Sequence, residues 1–152
     1  MSVFLDTSSL IKLYDDNETG SDDLRRHLNS REGIYLSALT RVEFVSALGR
    51  KYRRGELTLE KSSALQQAFE ADHSTYGWID LDPVVLKLAA QLLNRHMQLA
   101  LRSLDAIQLA SALAVQTLRV FITHDHRLHE AAVREGLACW PTAPPPRPAA
   151  AP

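Results

Sequence analysis

Four carboxylates stand at places in this sequence where an acid needs a reason. Asp6 closes the apolar run Val3-Phe4-Leu5 and is followed by Thr7-Ser8-Ser9, a setting that packing explains poorly. Its structural alternative is an N-cap for the next helix, which Ser8 could supply equally well. Glu43 lies between Val42 and Phe44 at the start of a helical pattern. Thr40-Arg41-Val42-Glu43 also reads as a capping box, in which the Glu reaches back to the Thr backbone amide. Asp105 falls in the first turn of an almost wholly apolar helix, where the helix dipole stabilises a carboxylate and keeps it ionised for a cation. Asp125 follows Thr123 by two residues, and a cap for the final helix is its strongest structural reading.

Bare carboxylates cannot share a small site, because mutual repulsion raises their pKa values until some protonate. A hard divalent cation resolves the conflict. Mg²⁺ prefers oxygen ligands, keeps several waters and needs only a few carboxylates from the protein. Its waters provide a nucleophile and its charge stabilises a scissile phosphate. The formal net charge is −1, unlike the basic balance of non-specific nucleic-acid binders, so contact with a polyanion has to rely on local patches, a cation or a partner.

The elements that must position these acids follow from periodicity. Val3-Leu5, Ile34-Leu36, Trp78-Leu81 and Arg119-Thr123 read as strands, with Leu137-Trp140 as a further edge strand. Between them the spacing predicts a short helix over Leu10–Tyr14, one capped by Ser21 to about Leu28, and one from Thr40 to about Arg54, with Val42, Val45 and Leu48 on its apolar face. Thr58 caps a helix whose apolar face is Leu59, Ala64, Leu65, Ala68 and Phe69; Asp82-Pro83 opens one to about Met97. Ser103 caps the helix bearing Asp105, and a last helix runs from His126 to Glu135, where Gly136 closes it. Short apolar strands alternating with helices give an α/β fold: a mainly parallel sheet of four to five strands with helices on both faces. Ligands in such sheets sit at the carboxyl ends of the strands, where Asp6 and Asp125 fall.

The composition bounds the class. The 152 residues, 45% hydrophobic and 23% charged, suit one globular domain over 1–140. Residues 141–152 form a Pro/Ala-rich tail with little to bury, expected to be disordered or polyproline-like. A single cysteine, Cys139, excludes an internal disulfide and points to a reducing, cytoplasmic setting. Met1–Leu5 is too short for a signal-peptide core, and no run approaches the roughly 18 apolar residues of a membrane span.

The four acid-bearing segments together resemble the PIN-domain nucleases. Val3-Phe4-Leu5-Asp6-Thr7-Ser8-Ser9-Leu10-Ile11-Lys12 resembles their opening motif, and Thr40-Arg41-Val42-Glu43-Phe44-Val45-Ser46-Ala47-Leu48 their glutamate-bearing helix. Leu101-Arg102-Ser103-Leu104-Asp105-Ala106-Ile107-Gln108-Leu109-Ala110 is similar to their central motif, and Ile122-Thr123-His124-Asp125-His126-Arg127-Leu128 to their closing Thr-x-Asp-x-x-Leu. Size and style match the VapC-type toxins of toxin–antitoxin pairs. The resemblance implies a PIN-like three-layer fold and an RNA endonuclease dependent on Mg²⁺ or Mn²⁺, acting as a homodimer and inhibited by an antitoxin protein. It implies Asp6, Glu43, Asp105 and Asp125 as catalytic and metal-holding residues, with Ser8 and Thr123 as polar supports. Gln108 departs from the pattern, since a histidine is common there, and the Pro/Ala tail lies outside it.

Other chemistries fit less well. His124, His126 and His129 lack the i, i+4 spacing of a helical zinc pair. A haloacid-dehalogenase-like phosphatase needs Asp-x-Asp, but position 8 is serine; a response-regulator receiver needs an acidic pair and a late lysine that are missing. Arg50-Lys51-Tyr52-Arg53-Arg54 suits either an RNA contact or cations complementing a helix C-terminus. A non-catalytic PIN-like module that binds RNA or protein is the non-enzymatic alternative. An exposed apolar surface for a dimer and an antitoxin is expected around Leu10, Ile11, Tyr14 and the helices of 40–75.

Overall fold

The computed structural model describes residues 2–28, 32–147 and 149. Five parallel strands, β1 (Ser2–Leu5), β2 (Gly33–Ser37), β3 (Gly77–Ile79), β4 (Leu118–Ile122) and β5 (Cys139–Trp140), form one sheet in the order β3-β2-β1-β4-β5. Side chains alternate across it. Val3, Leu5, Val120 and Ile122 face one layer and Phe4 and Phe121 the other, and all are buried. Strands buried on both faces read as continuous apolar runs, which is why β1 and β4 were legible. Each fully buried Leu or Phe contributes roughly 1.5–3 kcal/mol.

One face is covered by α1 (Thr7–Tyr14), α2 (Ser21–His27), α3 (Thr40–Arg53) and α4 (Leu59–Ala71), through Leu10, Leu24, Phe44, Leu48, Leu65 and Phe69. The other is covered by α5 (Pro83–Arg95), α6 (Ser103–Leu113) and α7 (His126–Arg134), through Leu92, Leu109, Ala110 and Leu128. The architecture is thus the three-layer α/β arrangement expected. Among the described residues, no helix is long and apolar enough to cross a membrane.

Several local expectations change. Gly20, at φ +87°, precedes α2 where Ser21 was expected to cap it; the Ser21 hydroxyl instead donates to the Lys12 carbonyl. Only a residue free of Cβ adopts that left-handed conformation at little cost. Ser103 is the first residue of α6, and Arg102 holds the cap position. The buried stripe of α3 runs through Thr40, Phe44 and Leu48, leaving Val42 70% exposed and Val45 out with it. On α4, Leu59, Ala64 and Ala68 are likewise exposed. Leu10 and Ile11, expected at an exposed patch, are buried in the core because α1 lies directly on the sheet. Thr58 and Asp82 cap α4 and α5 as expected. In the tail, the Pro141 and Pro145 carbonyls lie within 2.7 Å of the His129 Nε2 and His126 Nδ1 ring nitrogens; Pro148 and residues 150–152 lie outside the described residues.

Candidate active site

Parallel register decides which strand ends meet. Leu5 pairs with Ile122, so the next residues, Asp6 and Thr123, emerge side by side. Thr123 Oγ1 donates to Asp6 Oδ2 at 2.6 Å and itself accepts the Asp125 amide at 3.0 Å. Ser8 Oγ stands 2.7 and 2.9 Å from the two Asp6 oxygens, and the Ser9 amide donates to Oδ1 at 3.0 Å. Asp6 therefore caps α1, the role that the structural alternative gave it, and it rather than Ser8 supplies the cap. Burial pushes its carboxyl up to about 7; the hydrogen bonds from Thr123, Ser8 and Ser9 oppose that, and the charge of Asp125 adds to it.

Glu43 does not close the capping box with Thr40. No side chain caps α3, and Glu43 Oε1 accepts from Thr7 Oγ1 at 3.0 Å and Gln108 Nε2 at 2.6 Å. Gln108 Nε2 also reaches the hydroxyls of Thr7 and Thr40. The Gln108 side chain thus ties α6 to α1 and α3 and aims Glu43 away from its own helix start. Asp105 accepts the Arg102 amide at 3.1 Å on Oδ2. Burial raises its pKa, the Arg102 amide lowers it and Asp125 raises it further. Asp125 caps α7 through the Leu128 amide at 2.9 Å.

Asp6, Glu43, Asp105 and Asp125 all line one cleft of about 500 Å³, with Ser8, Gln108 and His124 beside them and Lys12, Arg50, Arg54 and Arg102 among its walls. Among the described residues, no three His, Cys, Asp or Glu side chains are gathered closely enough to hold a metal ion. Each acid is held by its own protein partners, as mutual repulsion of uncompensated carboxylates favours. The donor set nonetheless suits a hard cation, which needs only one or two carboxylates besides water. Asp6 is a buried acid whose ionisation calls for a nearby positive charge. Hydrogen bonds among the described residues fall on Oε1 of Glu43 and Oδ2 of Asp105, so the second oxygen of each carries none.

A profile of the PIN domain matches residues 3–134, which takes in all four acids. The chain belongs to the PIN-domain family. Ribonuclease VapC35 of Mycobacterium tuberculosis is 36% identical over 141 residues, covering 90% of this chain and 93% of that protein. Among solved structures, Mycobacterium tuberculosis VapC20, described as a sarcin-ricin loop cleaving toxin, is similar with a TM-score of 0.69 at 16% identity, covering 95% of this chain and all of the other. A toxin–antitoxin complex from Klebsiella pneumoniae matches with a TM-score of 0.55 at 19% identity, over 82% and 87% of the two chains.

In this PIN domain, some residues of the site escaped the sequence reading. Thr7 was given no role in the sequence reading, yet its hydroxyl donates to Glu43. Gln108 was legible only as a departure, although its place one turn beyond Asp105 puts it on the same helix face. His124 sits between Thr123 and Asp125; its Nδ1 lies 2.8 Å from Ser9 Oγ and its amide donates to Ser8 Oγ. Burial and the charge of Lys12 push its ring down to about 4, so it is a neutral wall at pH 7.

Proposed function

We propose that the chain is a Mg²⁺-dependent endoribonuclease, with Mn²⁺ as a substitute, acting as the toxin of a toxin–antitoxin pair. The observation that carries this reading is Asp6: a buried strand-end carboxylate held by three donors, facing a cleft that also holds Glu43, Asp105 and Asp125. The 36% identity to a protein named ribonuclease supports RNA as the substrate.

The cation would sit in the cleft lined by Asp6, Asp105, Glu43 and Asp125, held by one or two of these carboxylates and by water. When bound, it supplies Lewis acidity, activating water and stabilising charge on the scissile phosphate. The protein's own part is positioning. Ser8 and Thr123 fix the plane of the Asp6 carboxylate, and Gln108 and Thr7 fix Glu43. Arg50, Arg54 and Arg102 stand in the cleft walls, where guanidinium groups pair with backbone phosphates. That local cationic rim offsets a net charge of −1 over the whole chain.

An antitoxin and a second copy of the chain are the proposed partners. Val42, Val45 and Leu104 are exposed apolar side chains on α3 and α6, and Val42 and Leu104 also line the cleft. A partner seated there would cover apolar surface and close the site together. The test is cleavage of single-stranded and structured RNA by the purified chain with Mg²⁺, Mn²⁺ or EDTA. Internal cuts that need the cation are expected; RNA bound but never cut with either metal would leave a binding module in place of an enzyme.

A further inference from the structure

A second cavity, of about 570 Å³, lies beside the carboxylate cleft; Asp23, Arg26, His27, His124 and Trp140 are among its lining residues. Sheet register explains its position. Ile122 pairs with Trp140, so the indole stands one strand away from the end that delivers Thr123 to Asp6. The His27 ring, from the last residue of α2, stacks on Trp140 with centroids 4.3 Å apart and planes 17° apart. His124 meets the same indole edge-on at 5.8 Å and 77°. His124 also lines the carboxylate cleft, and its amide donates to the Ser8 hydroxyl that touches Asp6. One residue thus separates the aromatic wall from the site. His27 Nε2 is buried with no hydrogen-bond partner among the described residues, and a buried polar atom left so costs about 1–3 kcal/mol.

We propose that this cavity is a nucleobase subsite, taking one unpaired base of the RNA next to the scissile phosphate against the His27–Trp140 wall. The proposal rests on the ribonuclease reading. Every base has a π-face that stacks on an aromatic side chain, and a hydrogen-bonding edge. The cavity offers both kinds of partner: the stacked rings, and the His124 imidazole and the Asp23 carboxylate for an edge. Arg26, paired with Asp23 across one helical turn, supplies a cation for the phosphate that travels with the base. The cavity's volume is in the range of roughly 300–1,000 Å³ usual for small-molecule clefts.

The test is an NMR titration of the full chain with the four nucleoside 5′-monophosphates, and with ribose 5-phosphate as the base-free control, following the Trp140 indole N–H and the His27 ring. At least one nucleotide is expected to shift both signals where ribose 5-phosphate does not, and His27→Ala to weaken that nucleotide about 10-fold. Trp140 packs on the core, so His27→Ala, checked by thermal melting, is the variant of choice. No shift with any nucleotide, or equal shifts with ribose 5-phosphate, overturns the subsite. A parallel arm maps cut sites in a random RNA pool. His27→Ala should lose the nucleotide preference at one position flanking the cut; cutting with that preference unchanged defeats the subsite while the ribonuclease stands. If nothing is cut, the ribonuclease reading fails, and the titration still decides the subsite.

Discussion

Burying a carboxylate raises the cost of its charge, and Asp6 shows the conflict within one side chain. Three hydrogen-bond donors hold it, yet burial lifts its pKa from 3.8 to about 7. The sign follows from linkage. A group whose folded pKa is raised favours folding when protonated, so its contribution is full below about 3.8 and is lost as the pH rises to about 7. The upper bound is about 4 kcal/mol, from 1.36 kcal/mol per pKa unit. In metal-free buffer, the melting-temperature deficit of wild type relative to Asp6→Asn should therefore widen from pH 4 to pH 7. Comparing the two proteins cancels His124, Asp15 and Glu18, whose lowered pKa values make stability rise with pH. A deficit that stays flat with pH would show that Asp6 is not desolvated. Gln108 gives a second expectation. Gln108→Leu removes the donor that aims Glu43, and loss of such a support costs about 10–100-fold in activity or metal affinity. Unchanged kcat with the same metal affinity would show that Glu43 needs no positioning. The places of Asp6, Asp105 and Asp125 were legible in the sequence because strand ends and helix starts are local signals. The sequence could not announce that Glu43 forsakes Thr40 for Thr7 and Gln108, since Gln108 lies 65 residues away and reaches Glu43 only because α3 and α6, on opposite faces, both begin at the carboxyl edge of the sheet.

Between elements, the lysine of α3 is shared by several carboxylates. Lys51 Nζ lies 2.9 Å from Asp15 and 2.6 Å from Glu18, and Lys12 of α1 shares Glu18 at 3.3 Å. Burial alone would raise the Asp15 pKa, but the hydrogen bond from Lys51 and its charge bring the net shift downward. The pairs pin α3 to the turn after α1, and so set where Glu43 and Arg50 stand relative to Asp6. Lys51→Met leaves Asp15 buried without its counter-ion and is expected to cost up to about 3 kcal/mol in urea unfolding. Adding Asp15→Asn should recover part of that loss; a double variant no better than the single would locate the cost in packing. In sequence, Lys51 belonged to a basic run that fitted either RNA contact or a helix-dipole role. The structure divides that run, with Lys51 committed to ion pairs while Arg50 and Arg54 line the cleft. Strand and helix order were legible because period-2 and period-3.6 patterns are strong in a doubly covered sheet. The faces of α3 and α4 were not, because both present apolar residues to solvent as well as to the core.

For the whole molecule, those exposed residues bear on assembly. Val42, Val45 and Leu59 on α3 and α4, with Leu104 on α6, leave apolar area that a monomer gains nothing by exposing. Light scattering at micromolar concentration should report a dimer, and Val45→Glu should shift it toward monomer; a strict monomer for the wild type contradicts the dimer. The central claim, a cation-dependent acidic site built around Asp6, is tested most directly by Asp6→Asn measured two ways. Asn caps a helix as well as Asp, so α1 keeps its start while the charge is lost. RNA cleavage with Mg²⁺ should fall by at least about 100-fold. In EDTA the variant should melt higher than wild type, by roughly 2–4 °C for each kcal/mol relieved, and Mg²⁺ should raise the melting temperature of wild type far more than that of the variant. Cleavage by Asp6→Asn at the wild-type rate, or an inactive variant that melts lower than wild type without metal and responds equally to Mg²⁺, would contradict the account and leave Asp6 as a helix cap alone.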